Sequence, residues 1–227
     1  MIPYTRRFPV GRLIVRWVIV PCIALAVGAA SASATQDPRD LVDTTIETLR
    51  ENVQRDAALL DTDPAHALSL VERVVAPHID IRLASRLVLG RHWVAATDLQ
   101  RDAFVDGLRG LLMRIFAIHL RDYSTAEVAF APTVLHGDDK RRAVVRTEVT
   151  RAGIPPMNVD YRLYHTDGRW LIYDVSIFGI SVVKTYRLTI DGELERHGID
   201  GVIQQINALL PMNDALSLRQ PVVESNL

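Results

Sequence analysis

The chain has 227 residues, 26 basic against 27 acidic side chains, and a single cysteine. Near-neutral charge argues against broad nucleic-acid binding, and one thiol excludes an internal disulfide framework. Stability must come from a buried core, which a chain of this length can build.

The first segment is basic, with Arg6, Arg7, Arg12 and Arg16 and no acid before Asp37. An apolar run from Trp17 to Val27 follows, then small residues from Gly28 to Ala34. That order, ending in Ala32-Ser33-Ala34, predicts a secretory signal peptide over residues 1–34, cleaved before Thr35. The run is shorter than the roughly 20 residues of a transmembrane helix, which disfavours the alternative of an uncleaved anchor. Cys22 lies too deep in the run for a lipoprotein signal. Cleavage removes Cys22, four arginines and no acid, so the mature chain is distinctly acidic and has no thiol. Cysteine nucleophiles and thiolate metal sites are thereby excluded. Plain electrostatic adhesion to anionic lipid is also disfavoured; contact with a membrane is expected to be local, through a small patch or a docking partner.

The mature chain reads as one α+β domain over 35–213, helices first and strands after. Asp37-Pro38 opens a helix with Leu41, Thr45, Ile46, Leu49, Val53 and Leu60 at helical spacing. Asp63-Pro64 starts a second, with Leu68, Val71, Val74 and Val75 on one face until Pro77. Ile79 to Leu89 reads as a third, closed by Gly90. Thr97 and Gln100 form a capping box before the strongest helix, Asp98 to about His119. Inside it, Gly107 and Gly110 mark either close helix packing, room for a ligand, or tolerated surface positions.

From Glu127 the period becomes two. Four strands are predicted, Glu127 to Leu135, Arg142 to Arg151, Met157 to His165 and Arg169 to Phe178. The turns between them are His136 to Asp139, Ile154-Pro155-Pro156 and Thr166-Asp167-Gly168, short enough for a curved antiparallel sheet. Ser181 then caps a helix to about Arg196, closed by Gly198. A last helix spans Asp200 to Leu210, Pro211 stops it, and residues 214–227 read as a loosely ordered tail.

Little in the chain looks catalytic. The seven histidines form no H-x-x-x-H pair, so no metal site is expected. His78-Ile79-Asp80 offers ligand-type side chains, though helix capping explains it more simply. No nucleophile elbow or phosphate loop is present. Asp174, inside the apolar strand Trp170 to Val175, is the best candidate acid or base. Its structural alternative is a pair with Arg162, Arg169 or Arg187, or with a backbone amide.

Several stretches together resemble the MlaC, or toluene-tolerance auxiliary transport, family. They are Val88-Leu89-Gly90-Arg91-His92-Trp93 with Thr97 and Gln100 to Phe104, then Val159-Asp160-Tyr161-Arg162-Leu163, Gly168 to Val175, Gly179 to Val183 with Tyr186-Arg187, and Gly198 to Ile203. The chain departs from that pattern at Ile115-Phe116, Phe178, Thr185 and Leu188-Thr189. The resemblance implies a mixed α/β cone related to nuclear-transport-factor-like folds, with an apolar cavity for acyl chains. It also implies a monomeric periplasmic carrier without cofactor or catalytic residue. Its partners would be an inner-membrane ABC permease complex and an outer-membrane lipoprotein complex, and its cargo a phospholipid or, in a related branch, a hopanoid.

The candidate lining, from the long helix and the sheet, is Leu108, Leu112, Ile115, Phe116, Val145, Val149, Val159, Tyr161, Leu163, Val175 and Ile177. For most of these positions ordinary core packing is the favoured alternative; Phe116 and Tyr161 are the better lining candidates, because large rings can line a wide pocket. Lys184, Tyr186 and Arg187 are candidates for head-group or partner contact. Two rivals stand beside the carrier: an isomerase or hydrolase using Asp174, and an adaptor with a filled core.

Overall fold

A computed structural model describes residues 37–121 and 125–217, with side chains described as far as Leu210. The expected signal peptide and residues 218–227 of the expected tail lie outside the described residues.

Local chemistry sets the helix boundaries. Asp37 accepts the Arg39 N–H at 2.8 Å, and Pro38 occupies the first turn of α1 (Pro38–Arg55). The helix stops at Asp56, so Leu60 falls in a separate turn, α2 (Ala57–Leu60). Asp63 accepts from the Ala65 and His66 N–H groups and so starts α3 (Pro64–Val74). After a 3-10 turn at Ala76–His78, Ile79 bridges Ile172 in parallel, and the Asp80 N–H donates to the Ile172 carbonyl at 2.8 Å. The backbone at Ile79 is therefore committed to a sheet edge. The third helix, α4 (Ile81–Leu89), begins after it, capped by Asp80 on the Leu83 N–H. A short α5 (His92–Ala95) leads to α6 (Asp98–Ile118), where both bonds of the Thr97–Gln100 capping box form.

The sheet has six antiparallel strands rather than four: β1 (Glu127–Phe130), β2 (Val134–His136), β3 (Arg142–Arg151), β4 (Ile154–Thr166), β5 (Arg169–Ile177) and β6 (Ile180–Ser181). Their order is β1-β3-β4-β5-β6, with β2 also on β3. The segment expected as one strand from Glu127 to Leu135 is split because Pro132 has no N–H for the ladder. The expected turn at Ile154-Pro155-Pro156 lies inside β4, and the chain turns instead at Ala152-Gly153, where Gly153 has φ 79°. The prolines are tolerated there because β5 reaches only as far as Val159 on that side, and β3 is irregular between Val149 and Arg151. Two hairpins have two-residue loops with positive φ at both positions: Asp167-Gly168 (49° and 78°) and Phe178-Gly179 (50° and 78°).

The last helix, α7 (Val182–Ser217), starts with the Lys184 N–H on the Ser181 hydroxyl at 3.0 Å. Gly198 (φ 66°, ψ 178°) kinks it into two arms. Pro211 does not end it; the missing N–H removes one bond from a long helix.

Three apolar clusters hold these parts. The first joins α4, α6 and α7 through Val88, Phe104, Leu108, Ile190 and Val202. The second joins α1, α3 and α6 through Val53, Leu70, Val71 and Met113. The third presses Leu41 and Val42 of α1 onto Val145, Leu163 and Trp170 of the sheet. Gly107 and Gly110 are explained by the first. A Cβ at Gly107 would stand 3.1 Å from Ile206 Cγ2, and one at Gly110 3.3 Å from Leu210 Cδ2, so these glycines let α6 and α7 approach closely.

Candidate functional site

Antiparallel pairing places opposed residues on one face. Phe130 pairs with Thr147, Thr147 with Val159, Val159 with Ile177, and Ile177 with Ile180. The result is a row with one residue from each of five strands, on the same face as Val145 and Leu163. Its one polar member is spent, since the Thr147 hydroxyl donates to the Val159 carbonyl at 3.0 Å. Exposure rises along it, from Val159 at 6% through a half-buried Ile177 to Ile180 at 66%. The next row adds Val149 opposite Met157, both half-buried.

The eleven candidate lining residues separate on this frame. Leu108 and Ile115 belong to the first cluster, Phe116 to the second, and Leu112 touches both. Val145 and Leu163 are wholly enclosed in the third, with Tyr161 and Val175 against it. Val149, Val159 and Ile177 belong to none of the three among the described residues. Val159 is buried, while Val149 and Ile177 are half-buried. Beside these three, the register brings Phe130, Thr147, Met157 and Ile180 onto the same face. The period-two pattern contained Phe130, Thr147 and Met157; Ile180 lies beyond the predicted strands, and the alignment into rows needed the strand register.

The opposite face is polar. A groove of about 760 Å³ is lined there by Arg146, Glu148, Asn158 and Asp160, together with Phe178, Gly179 and two members of the row, Phe130 and Thr147. Acyl chains laid in it would strand charged groups away from water, so it does not serve as an apolar cavity.

Asp174 is on this second face too. Its carboxylate accepts from Arg162 Nη1 at 2.7 Å, from the Ser181 hydroxyl at 2.7 Å and from the Val183 N–H at 3.1 Å. Arg162 also reaches the Ser176 hydroxyl at 2.7 Å. A carboxylate whose oxygens are already taken by three donors, one of them a guanidinium, is engaged in holding the structure rather than turned toward a substrate. The group reads as a clamp between β5 and the start of α7. The partner is Arg162; Arg187 instead lies over Gly90, where an added Cβ would stand 2.9 Å from its guanidinium carbon.

The three head-group candidates do not converge. Lys184 is exposed, Arg187 covers Gly90, and Tyr186 packs against the first cluster, where burial raises its phenol above the ordinary value of 10.0. Asp80 of the His78-Ile79-Asp80 triplet caps α4, and His78 is pushed below the ordinary value of 6.5 by burial and then by Arg169. Among the described residues, no group of three or more His, Cys, Asp or Glu side chains gathers as a metal site. Nor is any helix among them long and apolar enough to cross a membrane.

A model of the MlaC protein family matches residues 41–208, from the first turns of α1 into the second arm of α7. The chain belongs to the MlaC family. Two relatives agree with that assignment. The intermembrane phospholipid transport system binding protein MlaC of Haemophilus influenzae is 22% identical over 178 residues, 78% of this chain and 83% of its own. The toluene tolerance protein ttg2D of Pseudomonas putida is 24% identical over 179 residues, 78% of this chain and 82% of its own. Among solved structures, a phospholipid-binding protein from Ralstonia solanacearum in complex with a phospholipid superimposes with a TM-score of 0.70. It is 26% identical and covers 81% of this chain and 99% of its own. The MlaC fold is thus present as a mixed helix and antiparallel-sheet domain.

Proposed function

We propose that the protein is a periplasmic lipid carrier, exported by a cleaved signal peptide, that shuttles phospholipid between an outer-membrane lipoprotein complex and an inner-membrane ABC permease complex. The observation that carries this reading is the likeness to the Ralstonia solanacearum protein, which holds a phospholipid on the same fold. The Haemophilus influenzae relative is named as the binding protein of an intermembrane phospholipid transport system. Within this chain, Val149, Val159 and Ile177 supply an apolar sheet face outside the three clusters against which acyl chains can lie.

The physical need for such a carrier is large. A two-tailed lipid exposes about 30 methylenes to water, and at about 0.8 kcal/mol each its desorption costs roughly 20 kcal/mol or more. An apolar pocket replaces the bilayer rather than water, so transfer into it is near neutral and runs in either direction. Hydrolysis of ATP in the permease complex sets the direction, and the carrier needs no catalytic group.

Native mass spectrometry of the mature protein purified from its periplasm, with organic extraction of whatever is bound, tests the reading. Stoichiometric phospholipid is the expected result. A hopanoid would keep the carrier and change its cargo. A bare polypeptide mass, even after incubation with vesicles, would overturn it.

A further inference from the structure

Two hairpins of this sheet ask the same thing of their loops, positive φ at both positions. Asp167-Gly168 meets the demand with residues that such turns favour. Phe178-Gly179 does not: Phe178 sits at φ 50°, where a bulky side chain is a rare outlier. Its ring is not repaid by burial, since Phe178 is 61% exposed. The neighbour beyond the turn, Ile180, is 66% exposed and terminates the five-strand apolar row. The first exposed turn of α7 then presents Lys184, four residues beyond Ile180, and Leu188, 80% exposed, one turn further. Large apolar side chains on an exposed turn, followed by a lysine, fit a surface of acyl chains under anionic head groups.

We propose that the Phe178-Gly179-Ile180 turn is the point at which this protein touches a lipid surface, and that an acyl chain slides from there along Ile180, Ile177 and Val159. The inference rests on the carrier reading and adds its point of contact. An acidic protein needs such a local device, because its overall charge is repelled by anionic lipid. Continuity explains the choice of this turn: the row that is buried at Val159 surfaces at Ile180. A chain leaving a bilayer at the turn then meets apolar side chains at each step.

The test uses mature, delipidated protein and vesicles of phosphatidylethanolamine with a minority of phosphatidylglycerol. Phe178→Asn suits the positive φ better than the native residue, so this variant removes the apolar tip of the turn while favouring the hairpin. Its rate of lipid uptake is expected to fall about tenfold or more, with unchanged lipid content at equilibrium. Equal rates for wild type and variant would overturn the contact proposal, leave the carrier reading standing and assign the face to a protein partner. A variant that loses equilibrium content as well as rate would also overturn it, by making Phe178 part of the cradle. A wild type that takes up no lipid from these vesicles would overturn the contact proposal alone, because in the carrier reading loading runs through the two membrane complexes. Independently, Phe178→Trp should report the contact directly: indole emission that shifts to the blue on these vesicles and is quenched by brominated acyl chains is expected, and emission indifferent to both would sink the proposal.

Discussion

Arg162 and Asp174 stand directly opposite one another on β4 and β5, 2.7 Å apart, and the same carboxylate takes the Val183 N–H at the start of α7. The pair therefore joins two strands to the helix that follows them. Arg162 is a third exposed while the Asp174 side chain is 6% exposed, so the buried partner depends on the arginine more than the reverse.

Asp174→Asn keeps an oxygen for the Val183 N–H but gives up the charge that Arg162 faces. Loss of about 1–3 kcal/mol of stability is expected, reduced from the value for a fully buried pair because Arg162 reaches water. Asp174→Ala should cost more, as it abandons all three donors. Chemical denaturation checks the order, and extracted lipid should be unchanged in Asp174→Asn. A folded variant with its lipid intact but a lost turnover would restore the enzymatic reading.

Helix starts were legible because Asp37, Asp63 and Thr97 each carry their own capping chemistry within three residues. The split at Pro132 was legible in principle, since proline forbids the ladder, yet the flanking alternation masked it. The α4 start was not, because Ile79 is withdrawn from the helix by Ile172, almost a hundred positions later. The same holds for the site. Apolar periodicity gives a face but cannot say whether a helix or a ligand covers it, so Val145 and Val159 looked alike. Register separates them: one is opposed to Tyr161 under α1, the other to Thr147 and Ile177.

That separation has a measurable counterpart. Leu163→Ala should cost about 2–5 kcal/mol with a bound-lipid fraction that follows only the folded fraction. Ile177→Trp fills the half-buried strip instead. It should leave the denaturation midpoint within about 1 kcal/mol of wild type while sharply lowering extracted lipid. Full lipid occupancy in Ile177→Trp would remove this strip from the binding surface.

Gly90 combines φ 53° with ψ −119°, a conformation that L side chains avoid. Gly90→Ala should destabilise by about 1–3 kcal/mol. The contact with Arg187 is a smaller matter, because a flexible guanidinium can move. Adding Arg187→Ala should therefore recover little, and a double-mutant cycle with near-zero coupling is the expected outcome.

His78 supplies a pH dependence whose sign follows from its depressed affinity for protons. Burial and Arg169 disfavour the charged ring in the folded state. The unfolded chain therefore binds the extra proton first as pH falls below 6.5, and stability declines through the window between that value and the lower folded one. Above 6.5 the contribution is constant. His78→Gln should flatten this part of the acid limb, read as denaturation midpoints on either side of 6.5; an unchanged slope would exclude His78 as its source.

The five-strand row also constrains how such a gene can change. The residues next to Thr147, Val159 and Ile177 along their strands include Arg146, Asp160 and Ser176, which point to the other face. Deleting or inserting a single residue in one strand exchanges the two sets there and puts a charge or a hydroxyl across the path. Side chains in the row can drift among apolar types, but hairpin lengths cannot drift at all. Descendants of such a gene should diverge widely in sequence while their gaps gather outside the sheet.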